Sequence, residues 1–164
     1  MKYLLHYSET TQQQVKGLIE SGKLGDYLLS KYPEVHGYTN DRVLYTFASE
    51  IKNEHMRKSQ PLSKVLYDGK IHIINNALGT HTYAKRVQGG KIRTKNEIRV
   101  ATMFKNMPEA FLRMIVVHEL AHFKEKEHNK AFYKLCQHME PDYHQLEFDT
   151  RLYLIHLELF GKLY

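Results

Sequence analysis

Residues 108–128 read PEAFLRMIVVHELAHFKEKEH, and the fold turns on this stretch. Pro108 stands where a first helical turn tolerates proline, and Glu109 follows in the first turn, where the helix dipole favours a negative charge. From Ala110 to Phe123 almost every position is apolar apart from Arg113 and the polar members of His118-Glu119-Leu120-Ala121-His122. A helix that is apolar all round is a buried central helix. Two histidines and a glutamate are costly in such surroundings unless they have a purpose.

The purpose follows from spacing. His118 and His122 form an H-E-x-x-H motif, and on a helix residues four apart lie one turn above each other, so both imidazoles can reach one ion. Glu119 lies one step round, beside the ion. There it can act as general base on a metal-activated water. A catalytic zinc site has three protein ligands plus water, and His128 supplies the expected third. The ten-residue step from His118 to His128 is similar to the ligand spacing of metzincin proteases, although Glu125 stands where those enzymes have glycine. An unbroken helix would carry His128 about 15 Å along the axis from His118. The helix is therefore expected to break between Phe123 and Glu127, with Asn129 capping the next one. His138, His144 and Glu147 are the reserve ligands.

Working outward, residues 10–21 read as a helix with Val15, Leu18 and Ile19 on one side, and Gly22 and Gly25 interrupt the chain. A short helix ends at Lys31-Tyr32-Pro33. Asn40 or Asp41 starts another, with Leu44, Phe47, Ala48, Ile51 and His55 at helical spacing. Lys70–Asn75, Tyr83–Gln88, Lys91–Lys95 and Glu97–Thr102 read as strands, with a hairpin turn at Gly89–Gly90. Two further helices carry Phe132, Leu135, Cys136 and Met139, then Phe148, Leu152, Ile155 and Leu159. The layout is α+β, with a small, mostly antiparallel sheet. The 164 residues fit one domain, 1–164.

The single cysteine excludes an internal disulfide framework. The start MKYLLHYSETTQQQ is too briefly apolar for a secretory signal, and no run approaches a membrane span, so a cytoplasmic, membrane-free protein is expected. The net charge is +6. Lys85, Arg86, Lys91, Arg93, Lys95 and Arg99 are opposed only by Glu97 within their segment, and in strand conformation Lys91, Arg93 and Lys95 share a face. This is either a solvated sheet face or a surface for polyphosphate or nucleic acid. Only Tyr83 is near for base stacking, so single-strand binding has little support.

The chain resembles the YgjP-like metallopeptidase-domain proteins of bacteria, related to the SprT-like and WLM zincin groups. The resemblance runs through KYP at 31–33, IHIINNALGTHTYAKRVQGGKI at 71–92 and EIRVAT at 97–102. It continues through FLRMIVVHELAHFKEKEHNKAFY at 111–133 and HMEPDYHQLEFDTRL at 138–152. It implies a minimal zincin-like fold: a small sheet, an active-site helix carrying His118, Glu119 and His122, and a following segment supplying His128. It also implies a hydrolase, since the family is named for metallopeptidases and some members are named UTP pyrophosphatases.

Three functions follow, in order. The first is a zinc peptidase. Its second oxyanion donor is unassigned, with Tyr83, His72 and His81 as guesses. The alternative is a nucleotide (UTP) pyrophosphatase at the same zinc site, with Mg²⁺ or Mn²⁺ at the phosphates. The third is a non-enzymatic module in which zinc is structural and the basic face binds nucleic acid or protein. Glu119 beside only three candidate ligands argues against that, because structural sites are usually closed by four.

Overall fold

Polar side chains at the helix starts set the frame. Ser8 accepts a hydrogen bond from the Thr11 amide and opens α1, Glu9–Glu20. Asn40 does the same for α3, Asp41–His55, through the Val43 amide. Between them lies α2, Leu24–Lys31. The computed structural model describes residues 2–71 and 96–164. Within them the chain continues through β1, Lys64–Asp68, and β2, Glu97–Ala101, then α4, Glu109–Ala121. It ends with α5, Lys130–Met139, and α6, Tyr143–Phe160. The architecture is α+β, as expected.

Helix α4 is the centre. Phe111, Leu112, Met114, Ile115, Val116, Val117, Leu120 and Ala121 are all buried, and α4 packs against α5, α6 and β2. Helix α2 is tied to α6 by Asp149, a fully buried carboxylate that accepts from the Tyr27 and Tyr32 hydroxyls, Lys31 Nζ and Gln145 Nε2. Gly25 lies inside α2 and does not interrupt it. A Cβ there would stand 3.0 Å from His156 Nε2 of α6, tighter than ordinary contact, so glycine suits this approach. The turn before α2 falls instead at Gly22, whose φ of 72° suits glycine.

The sheet corrects the expectation. The described strands β1 and β2 pair in parallel, Lys64 opposite Glu97 through Asp68 opposite Ala101. The expectation from sequence is a small, mostly antiparallel sheet that includes a strand over Glu97–Thr102. The partner of Glu97–Ala101 here lies far upstream, a sequence separation long enough for the parallel pairing observed. Strand β1 was not anticipated, although Val65 and Tyr67 alternate inward. A strand does not begin at Lys70, whose amide bonds Asp68 Oδ1 in a tight turn. The expected strands over the rest of 70–75 and over 83–88 and 91–95 lie outside the described residues, apart from Ile71. Among the described residues no helix is long and apolar enough to cross a membrane.

Candidate metal centre

Helix α4 ends at Ala121 and the chain turns at once. Amides of Phe123, Lys124 and Glu125 bond back to the carbonyls of Leu120 and Ala121, closing the last turn. The described residues contain one non-glycine at positive φ, Asn96, so Glu125 makes this turn without a left-handed backbone. That is why glycine is not needed here. Asn129 then accepts from the Phe132 amide at 2.8 Å and starts α5. The cap stands where the sequence places it, and the break comes slightly before the expected Phe123–Glu127 interval, at Ala121–His122.

The turn brings His128 back onto α4. His122 Nε2 lies 3.2 Å from His118 Nε2 and 3.0 Å from His128 Nε2. Ligand atoms of the three histidines all lie within 4.8 Å of one another. His118 and His122 are buried, and His128 is half-buried. Nitrogens on a tetrahedral zinc with Zn–N near 2.0–2.1 Å stand about 3.4 Å apart, so small adjustments would admit an ion.

Hydrogen bonds fix which nitrogens face the ion position. His122 Nδ1 is 2.9 Å from the Glu125 carbonyl, which can only accept, so Nδ1 carries the proton. His118 Nδ1 is 2.8 Å from the Tyr143 hydroxyl. That hydroxyl donates its own proton to Glu147 Oε2 at 2.9 Å, so it accepts from His118. Burial and the Glu147 charge hold the Tyr143 pKa well above the usual phenol range, so it stays a donor. With Nδ1 carrying the proton, the Nε2 atom of each neutral ring is the lone-pair nitrogen and both face one point, a donor set that suits a cation. Burial lowers the His128 pKa, which favours the neutral form a ligand needs.

Phe132, fully buried, lies under all three rings, with centroids 5.0, 4.6 and 4.8 Å from those of His118, His122 and His128. Sequence reading missed Phe132, Tyr143 and the Glu125 carbonyl as parts of this site. The first two look like ordinary core residues, and a carbonyl leaves no trace in a residue name. Glu119 is 1% exposed, beside His118 on α4.

The reserve ligands stand elsewhere. His138 lies against His55, and His144 against Tyr133 and Tyr143. Glu147 is one hydroxyl removed from His118. Tyr83, His72, His81 and the basic residues from Lys85 to Lys95 lie outside the described residues. Arg99 is described, and it is opposed by more than Glu97: it bonds Glu97 at 2.7 Å and Asp68 at 2.9 Å.

A buried helix with two histidines and a glutamate, closed by a histidine from the next turn, has the build of a metal-dependent hydrolase. Comparison with known proteins agrees. The model of the YgjP-like metallopeptidase-domain family matches residues 50–150. A protein of Escherichia coli (strain K12) named UTP pyrophosphatase is 58% identical over 159 residues, covering 97% of this chain and 95% of its own. No solved structure matches the chain. The chain belongs to the YgjP-like family, and it is a hydrolase.

Proposed function

We propose that the protein hydrolyses a nucleoside triphosphate, UTP first, to the monophosphate and pyrophosphate. His118, His122 and His128 hold a zinc ion, and Glu119 is the general base. The observation that carries the site is the convergence of three imidazole nitrogens, with Glu119 next to His118 in the same buried helix. The substrate rests on the 58% identical relative's name. Chemistry alone put a peptide first; that relative reverses the order, and peptide hydrolysis becomes the second reading, favoured by the family's metallopeptidase description.

A divalent ion, when bound, supplies Lewis-acid stabilisation of charge on a phosphoryl oxygen and acidifies water towards neutral pH. The chain does the rest. Glu119, buried at the end of α4, removes a proton from the attacking water. A new P–O bond forms at the α-phosphorus while the bond to the leaving pyrophosphate breaks. The Glu125 carbonyl and Tyr143 keep His122 and His118 oriented throughout. Lys85, Arg86, Lys91, Arg93 and Lys95 supply concentrated positive charge for the phosphates, with Mg²⁺ or Mn²⁺ assisting at their oxygens.

The test is pyrophosphate release from each of the four nucleoside triphosphates by wild type and Glu119→Gln. The expected result is preference for UTP and a loss of about 100-fold or more in the variant, the size of a general-base contribution. No release above background from wild type sinks the nucleotide reading and turns the search to peptides.

A further inference from the structure

The carboxylate that steadies a metal-binding histidine usually bonds it directly. Here a tyrosine stands between. Tyr143, Glu147 and Arg151 follow one another at four-residue steps along α6, so they lie on one face, one turn apart. His118 Nδ1 donates to the Tyr143 hydroxyl at 2.8 Å, and that hydroxyl donates to Glu147 Oε2 at 2.9 Å. Arg151 Nη2 stands 3.7 Å from Glu147 Oε1, and its Nη1 donates to the Tyr3 carbonyl at 3.0 Å. All three side chains are buried, Arg151 least at 9% exposed.

Proton direction in this chain is forced from its far end. An ionised carboxylate only accepts, so the one tyrosine proton points to Glu147 and the tyrosine oxygen must accept from His118. Arg151 compensates the buried charge of Glu147 and holds it against α6. We propose that Tyr143, Glu147 and Arg151 are positioning residues that lock His118 in the Nδ1–H tautomer and aim its Nε2 at the metal position. The consequence for metal affinity rests on the zinc reading above; the tautomer lock does not.

Two readouts separate them. In the metal-free protein at pH 8, ¹⁵N-histidine NMR is expected to show His118 as Nδ1–H in wild type and as a mixture of tautomers in Tyr143→Phe. In chelator competition, Tyr143→Phe and Glu147→Leu are expected to weaken zinc about 10- to 100-fold, the range for loss of an outer-shell partner. Glu147→Gln keeps an acceptor oxygen for Tyr143 and is expected to restore most of that affinity, which a merely space-filling role would not predict. Circular dichroism checks the fold of each variant; should Tyr143→Phe not fold, the contrast between Glu147→Leu and Glu147→Gln decides. The lock is overturned if folded Tyr143→Phe keeps the wild-type tautomer, or if Glu147→Gln and Glu147→Leu behave alike. If wild type shows the tautomer yet takes up no zinc, the lock stands and the metal reading falls.

Discussion

His122 serves two neighbours at once: one ring nitrogen holds the Glu125 carbonyl and the other faces His118 and His128. His36 is committed on both nitrogens as well, but structurally. Its Nε2 donates to the Phe104 carbonyl at 2.6 Å, and its Nδ1 accepts from the Tyr38 amide at 3.0 Å. Both bonds need a neutral ring, and burial lowers its pKa below the ordinary value near 6.5. The folded state therefore binds fewer protons than the unfolded chain. The stability His36 contributes is complete above about pH 6.5 and is lost as pH falls through the folded value. Urea midpoints between pH 7 and 5 should fall less steeply for His36→Asn than for wild type, since His6 and His128, whose pKa values are also lowered by desolvation, act alike in both. Equal slopes would contradict this. At this scale the sequence spoke clearly about which histidines meet, because helical geometry ties His118 to His122. It was silent about Tyr143 and Phe132, whose neighbours are set by packing between helices.

The turn joining α4 to α5 matters more to the site than either helix alone, because it returns His128 to His122. Asn129 anchors it as the N-cap of α5, next to His128. Asn129→Ala should cost about 1 kcal/mol of stability in urea unfolding. It should also weaken zinc binding, because His128 loses its fixed start point; unchanged affinity would show that the cap does not position the ligand. The helices were legible since their apolar stripes and caps are local: Asn40 and Asn129 cap where the sequence places them. The sheet was less so. A strand's partner lies anywhere along the chain, and nothing in Glu97–Ala101 itself points to Lys64–Asp68 or to parallel pairing.

Across the molecule, the buried apolar residues from Leu4 to Ile155 join in one cluster around α4. Polar lines run through it from both ends of the chain. Arg151 reaches the Tyr3 carbonyl, and the hydroxyl of Tyr164 donates to the Tyr32 carbonyl, next to the Asp149 node. Such long-range bonds stand outside any local pattern, which is why the α+β class could be read from the sequence while the supports of its site could not. The central claim is that three histidines from α4 and the following turn hold one ion. The direct measurement is the metal content, by mass spectrometry, of protein purified without chelators, for wild type and His128→Ala. The account predicts about one divalent ion, zinc, per wild-type chain, as a three-histidine site should hold, and little in the variant. Wild type without metal, or His128→Ala with as much as wild type, would contradict it.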